Sequence, residues 1–231
     1  MIQALVTGAN RGIGIEYVRQ LLARGDRVIA ACRMPGRALD LTRLAGEYPG
    51  HLQVLPLSLP DPRSIGALVR TVEDFDVRID LLVNNAGILI DGEHFGAVEP
   101  KALRESVAVN AEGAFLLTQA LAPRLADDGG KVVNMSSGLG SIARTDGFHT
   151  PSYAISKAAL NMATRLLARA LAGRGIVVAA LSPGWVRTDM GGADATLTPE
   201  QSVAGLLRVI ENLSLADSGG FLGHDGKTIP W

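Results

Sequence analysis

The sequence predicts an α/β protein: a doubly wound parallel sheet of about seven strands, with helices on both faces, in one domain over residues 1–231. Three observations predict it. Short aliphatic runs recur along the chain and alternate with longer stretches of helical periodicity. Aliphatic residues dominate and aromatics are only 4%, a composition suited to buried parallel strands clad by helices. The first apolar run passes straight into a glycine-rich turn and then into a helical pattern, the opening of a βαβ unit.

Taken in order, residues 2–6 read as the first strand, too short an apolar run for a helix. The turn is Thr7 to Gly14. Residues 15–24 read as a helix with Ile15, Val18, Leu21 and Leu22 on its inner face, closed by Gly25 and Asp26. Residues 27–32 are the second strand, 39–48 an amphipathic helix and 52–57 the third strand. Pro60 and Pro62 break the chain before a helix over 63–75. The fourth strand, 80–83, ends in Asn84, Asn85, Ala86 and Gly87. Residues 100–110 and 111–126 read as two helices that meet at Asn110 or run through it. Asparagine is a poor helix-interior residue because its amide competes for backbone hydrogen bonds, so a bend or a function is expected there. Residues 131–135 form the fifth strand, ending at Ser136, Ser137 and Gly138. A loop over 139–150 follows, then a helix entered at Tyr153, with Pro151 and Ser152 just before it. Residues 176–181 are the sixth strand. Thr198 and Pro199 open the last helix, to about Asn212. Phe221 and Leu222 make a short final strand.

Composition removes several classes of function. Net charge is −1 with the two signs interspersed, so no basic face for nucleic acid is expected. No apolar run approaches the ~20 residues of a membrane helix. Cys32 is the one cysteine, and the four histidines lack ligand spacing, so no disulfide and no metal are expected. A reducing, cytoplasmic setting follows.

The chemistry gathers at strand ends. Glycines between a strand and a helix let backbone approach a pyrophosphate, and the helix N-terminus offers free N–H groups and a positive dipole end. At the end of the second strand a carboxylate would bind the ribose of NAD, whereas arginine accommodates the extra phosphate of NADP. Cys32 and Arg33 stand there, with Arg11 in the glycine turn able to reach the same region, so NADP(H) is favoured over NAD(H). Ser136 and Ser137 sit where a substrate oxygen would need a hydroxyl donor. Tyr153 and Lys157 lie one helical turn apart on one face. An ammonium beside a phenol lowers the phenol pKa from about 10, making Tyr153 a proton donor and acceptor near neutral pH.

These motifs, in this order, resemble those of the short-chain dehydrogenase/reductase family over nearly the whole chain. Gly8, Asn10, Arg11, Gly12, Ile13 and Gly14 lie in a stretch that resembles its cofactor loop, and Asn85, Ala86 and Gly87 lie in its Asn-Asn-Ala-Gly motif. Asn110, Ser137, Tyr153 and Lys157 fall where its catalytic tetrad would. Pro183, Gly184, Val186 and Thr188 resemble its nicotinamide-side segment. Residues 134–142 and 225–231 are similar to those of the C-factor-like carbonyl reductases. The resemblance implies a Rossmann fold and reversible hydride transfer between NADP(H) and a small-molecule carbonyl or alcohol. Tyr153 would protonate the carbonyl oxygen, Ser137 (with Ser136 as its neighbouring candidate) would orient it, and Lys157 would lower the tyrosine pKa and hold the nicotinamide ribose. Asn110 would support a water relay to Lys157. A homodimer or homotetramer packed through the Asn110 and Tyr153 helices is implied as well.

Two departures stand out. Where the family often has an aspartate against the adenine, this chain has Ser58, followed by Leu59. The segment from Asp189 to Leu197 is a short lid of small residues, implying an open pocket flanked by Phe148, His149, Trp185 and Met190. A second reading, of another class, is an NADP(H)-binding regulatory or signalling protein with little turnover; the complete tetrad argues against it.

Overall fold

The computed structural model describes all 231 residues. Seven strands form one sheet: β1 (Gln3–Thr7), β2 (Arg27–Cys32), β3 (Leu52–Pro56), β4 (Leu81–Asn84), β5 (Lys131–Met135), β6 (Val177–Ser182) and β7 (Phe221–Gly223). Their order is β3-β2-β1-β4-β5-β6-β7, and every neighbouring pair is parallel. Seven α-helices connect them: α1 (Gly12–Ala23), α2 (Leu39–Glu47), α3 (Pro62–Asp74), α4 (Pro100–Val107), α5 (Gly113–Leu121), α6 (Pro151–Leu171) and α7 (Pro199–Asn212).

The strands alternate their side chains between two cores. Ala4 and Val6 of β1, Val28 and Ala30 of β2 and Ala179 and Leu181 of β6 pack with α1 and α7 on one face. Leu5, Ile29 and Val178, each one residue out of phase, pack with α3, α5 and α6 on the other. All four residues predicted for the inner face of the first helix, Ile15, Val18, Leu21 and Leu22, are buried. Burial on both faces explains why the strands read as continuous apolar runs without alternation.

The chain moves outward from β1 through β2 to β3, then returns to place β4 on the other side of β1. The strand order reverses between β1 and β4, and the carboxyl edge at such a reversal is where open α/β sheets hold ligands. The glycine turn and the Asn85–Gly87 turn both stand at that edge.

The structure corrects several boundaries. The first helix starts at Gly12 and not at Ile15, because the last glycines of the turn already form its first turn. Pro151 and Ser152 lie inside α6, at its first two positions. Residues 100–126 are neither two plain helices nor one. Between α4 and α5 the chain makes a π-turn, Ala108–Glu112, and α5 ends at Leu121 before a short 3₁₀ turn. Asn110 sits in that π-turn, so the expected bend is an inserted residue. Pro35–Arg37 and two segments of the 139–150 loop are 3₁₀ turns that carried no periodic signal.

Helix ends follow local chemistry. The α7 start is a capping box: Thr198 Oγ1 accepts from the Gln201 N–H at 3.2 Å, and the Gln201 side chain accepts from the Thr198 N–H at 3.0 Å. Such a cap contributes about 1 kcal/mol. No helix is long and apolar enough to cross a membrane.

Candidate active site

The glycine turn is packed to its limit. Gly8 has φ +63°, and a Cβ there would stand 2.8 Å from Ala86 Cα. A Cβ on Gly14 would stand 2.2 Å from the Gly8 carbonyl oxygen, and one on Gly12 3.3 Å from Thr188 Cγ2. The turn thus touches the β4 turn on one side and the segment after β6 on the other. Asn85 is what holds the first of these contacts. Its Nδ2 donates to Thr7 O at 2.9 Å and to Gly8 O at 3.3 Å. The buried Thr7 hydroxyl accepts the N–H groups of Asn85 and Ala86, each at 3.0 Å. The Asn85 side chain therefore braces the turn from behind. Asn10 and Arg11 are exposed on its outer side, and Ile13 packs against the first core. Backbone N–H groups at the start of α1 and three crowded glycines form a cradle that fits a pyrophosphate.

Around that cradle, Arg33 is exposed at the end of β2 and makes no ion pair, a free cation where the sequence reading needs one. Arg11 does not turn toward it. Its guanidinium meets Asp189 at 3.1 Å, with both side chains mostly exposed, a pairing worth at most about 1 kcal/mol. Arg11 thus joins the glycine turn to the first residue of the lid. At the edge of β3, Ser58 is exposed and its N–H donates to Ser64 Oγ at 2.8 Å, while Leu59 packs against the second core. Pro183 O accepts from Ser202 Oγ at 2.7 Å, and Gly184 adopts φ +79° against Leu197. Val186 is buried and bridges Leu197, so the lid from Asp189 to Leu197 is a loop closed at its base.

The tetrad converges. Tyr153 and Lys157 are both buried on the inner face of α6. Lys157 Nζ lies over the Tyr153 ring, 5.4 Å from its centroid, and donates to Met135 O at 2.7 Å. Ser137 follows β5, and its hydroxyl lies on the Tyr153 side, where it lowers the phenol pKa. Ser136 points inward, donating to Asn161 Oδ1 at 2.6 Å, which leaves Ser137 as the serine facing the site. Asn110 is clamped by three bonds: Nδ2 donates to Ile88 O at 2.8 Å and to Ser156 Oγ at 2.9 Å, and Oδ1 accepts from the Ile88 N–H at 2.8 Å. A Cβ on Gly87 would stand 3.2 Å from Asn110 Oδ1 and 3.6 Å from Lys157 Nζ, so the β4 turn touches both residues.

One expectation is overturned here. The Tyr153 pKa is raised and not lowered. Burial pushes it up to about 12, and the Ser137 hydroxyl only partly offsets that. Burial also pulls Lys157 down to about 8. The sequence reading counted the neighbouring charge and missed the desolvation, which acts on both groups and wins. Tyr153 is accordingly a neutral phenol at neutral pH.

Of the four side chains expected around the substrate, two share one cavity. Phe148 and His149 line a cavity of about 260 Å³ with Leu139, Ile142, Ala154 and Ile155, on the outer side of α6. Neither Trp185 nor Met190 lines it, nor does any of the tetrad. Sequence reasoning also missed the polar spine beneath the site. Asn84 and Asn134 are directly opposed on β4 and β5, and Asn84 Nδ2 donates to Asn134 Oδ1 at 2.8 Å and to Thr118 Oγ1 at 2.9 Å. Asn134 Nδ2 donates in turn to Thr164 Oγ1 on α6. Two asparagines inside apolar strands were the available signal, since buried amides need partners.

Comparison with known proteins agrees with this architecture. The family model for short chain dehydrogenases matches residues 3–196. The C-signal of Myxococcus xanthus is 40% identical over 154 residues, covering 66% of this chain and 93% of that protein. The NADPH-bound carbonyl reductase from chicken fatty liver superposes with a TM-score of 0.94 at 38% identity, over 100% of this chain and 99% of its own. The carbonyl reductase Sniffer of D. melanogaster superposes with a TM-score of 0.95 at 31% identity over the full length of both. With the glycine cradle, the converged tetrad and the sheet order, these place the chain in the short-chain dehydrogenase family.

Proposed function

We propose that the protein is an NADP(H)-dependent carbonyl reductase, running reversible hydride transfer with Tyr153 as the acid in the reducing direction. The observation that carries this reading is the Tyr153 phenol, held neutral by burial between the Ser137 hydroxyl and the Lys157 ammonium at the carboxyl edge of the sheet. Bound NADPH supplies the hydride. As a carbonyl carbon is reduced, its oxygen takes on alkoxide character, far more basic than a phenolate. A phenol with a raised pKa still delivers its proton to such an oxygen. Ser137 donates a hydrogen bond that orients the oxygen, and Lys157 stabilises the phenolate left behind. Asn110, fixed in its π-turn, positions Gly87 and Ser156 around the Lys157 end of the site.

The cofactor-holding groups of this reading are the Gly8–Gly14 turn with Asn10, Arg11 and Ile13, then Ser58 and Leu59, the Asn85–Gly87 turn, Tyr153 and Lys157, and Pro183, Gly184, Val186 and Thr188. NADP(H) is preferred because Arg33 is an unpaired exposed cation at the end of β2. The neighbours whose structures contain NADPH or NADP support that preference. Arg33→Asp is expected to weaken NADPH binding by about 10- to 100-fold, the worth of a charge-assisted hydrogen bond, and to spare NADH. Titration of cofactor fluorescence checks it, and an unchanged Kd for NADPH removes Arg33 from the phosphate site.

The buried ammonium also sets a pH dependence. Lys157 loses its proton as pH rises through about 8, while Tyr153 keeps its own until about 12. Carbonyl reduction is expected to hold across neutral pH and fall on the alkaline side of about 8. A kcat profile still flat at about pH 9 contradicts this. Folding stability moves the other way. Between about 8 and the ordinary lysine value of 10.5 the unfolded chain binds a proton that the folded chain has released, so stability rises with pH over that window.

A second reading, a cofactor-binding regulatory protein, is favoured by one observation, the 40% identity to a protein named C-signal. The assay that separates the two is NADPH oxidation over a panel of aldehydes, ketones and quinones. Steady turnover establishes the reductase; tight NADPH binding with no turnover on any carbonyl selects the regulator. In either reading α6 presents Ile155, Met162 and Leu166, all exposed, on its outer surface, and we read that stripe as packing against a second copy in a homodimer or homotetramer.

A further inference from the structure

We infer that Glu93 is a positioning residue for Tyr153: from the loop after β4 it caps the helix that carries the tyrosine and fixes where the phenol stands. The inference rests on the reading of Tyr153 as the proton donor.

A helix start leaves backbone N–H groups without partners, and the residue just before the helix normally accepts one of them through a side-chain oxygen. Thr150 occupies that place in α6 and has a suitable side chain, yet it does not cap. Its backbone is left-handed, φ 38° and ψ 59°, a strained conformation for a β-branched residue. Its hydroxyl is buried and has no hydrogen-bond partner. Pro151 has no N–H, and the Ala154 N–H is taken by Thr150 O at 2.9 Å.

The cap comes instead from 59 positions earlier in the chain. Glu93 Oε2 accepts the Ser152 N–H at 3.1 Å, and Glu93 Oε1 accepts from the Ser152 hydroxyl. Ser152 is fully buried, so the carboxylate reaches into the fold to make both bonds. It also places a negative charge at the positive end of a 21-residue helix. Tyr153 is the next residue.

The same loop makes a second contact with the same segment. Phe95 meets Phe148 edge to face, with ring centroids 5.7 Å apart and planes at 85°. Phe95 and Phe148 are both exposed, so the pair is a clasp between two loops and not part of a core. Glu93 and Phe95 thus grip the chain on either side of strained Thr150. At the loop's other end, both main-chain groups of Ile88 are tied to the Asn110 side chain. The β4 loop therefore connects the π-turn that holds Asn110 with the helix start that holds Tyr153.

The test compares Glu93→Ala with Glu93→Gln. The glutamine keeps an oxygen that accepts the Ser152 N–H and loses only the charge. Glu93→Ala is expected to lower kcat about tenfold with KM for NADPH within about twofold of wild type, and Glu93→Gln to restore most of the loss. Hydrogen exchange of the amides in the first two turns of α6, measured without substrate, is expected to quicken in Glu93→Ala and stay slow in Glu93→Gln. Tyr153→Phe runs in the same assay. If Tyr153→Phe keeps turnover, the reading of Tyr153 as donor fails. If it is inactive while Glu93→Ala matches wild type in both kcat and exchange, the positioning inference fails. An equal loss in the alanine and glutamine variants, with exchange unchanged, also overturns it. Should Glu93→Ala not fold, Ser152→Ala, which removes the hydroxyl contact alone, carries the comparison. A fall in kcat of about threefold supports the inference and none overturns it.

Discussion

Tyr153→Phe is expected to lose about 10²- to 10⁴-fold in kcat for carbonyl reduction while NADPH binds within about twofold of wild type. The size follows from what the substitution removes. Phenylalanine keeps the ring, its place under Lys157 Nζ at 5.4 Å and its packing in the inner face of α6. It deletes one hydroxyl, the only proton held at that point of the site with a pKa pushed up to about 12. No hydrogen bond to the phenol hydroxyl holds a buried partner that the change would strand, so the fold loses little. The check is a pair of measurements on one preparation, kcat with a good carbonyl substrate and Kd for NADPH by fluorescence. Loss of both together would mean the variant damages the site as a whole, and loss of neither would remove Tyr153 from the chemistry.

Gly14→Ala is expected to have the largest effect on cofactor binding, weakening NADPH about 100-fold or more. The added Cβ would stand 2.2 Å from the Gly8 carbonyl and 2.7 Å from Asn85 Nδ2. The first of these is backbone, in a turn so close to the β4 turn that even a Cβ on Gly8 would stand 2.8 Å from Ala86 Cα, so nothing flexible can yield. The turn must move, and the Asn85 bonds to Thr7 O and Gly8 O that brace it are lost with the movement. Overpacking of this kind costs about 1–3 kcal/mol, and a chain of this length then melts about 2–12 °C lower. Gly36→Ala is the control. Nothing lies within 4 Å of a Cβ there and its φ is not positive, so Tm and NADPH affinity should stay unchanged. Equal behaviour of the two variants contradicts the packed cradle.

The fold was largely legible because its signals are local. Each parallel strand is buried on both faces, so Ala4–Val6, Val28–Cys32 and Val177–Leu181 read as apolar runs with no structure in hand. The glycine turn announced itself through three glycines between a strand and a helix. Boundaries slipped where conformation and not composition decides. Gly12 begins α1 although its φ is +53°, and the π-turn at Asn110 adds a residue that no helical period can express.

In the candidate site, residue identities were readable and their states were not. Tyr153 and Lys157 share a face because of helical spacing, but the depth to which that face is buried depends on β5, α4 and the 139–150 loop. That depth reverses the expected direction of the tyrosine pKa. Ser136 and Ser137 are adjacent in sequence, and which one faces the site is settled by Asn161, a helix residue that takes Ser136 away. Arg11 carries no mark of its partner Asp189, 178 positions later. Glu93 is one acidic residue in a polar loop, and nothing in its own neighbourhood announces the helix start that it caps.

The most direct test of the central claim is the fate of the hydride. NADPH carrying deuterium on the nicotinamide carbon that donates is incubated with the protein and a carbonyl that it turns over, and the product alcohol is examined by mass spectrometry and NMR. The proposed function predicts one deuterium on the carbinol carbon, none on the oxygen after exchange into water, and labelled alcohol forming at least about 10²-fold more slowly with Tyr153→Phe. Deuterium absent from the alcohol, or appearing equally with Tyr153→Phe, would contradict it.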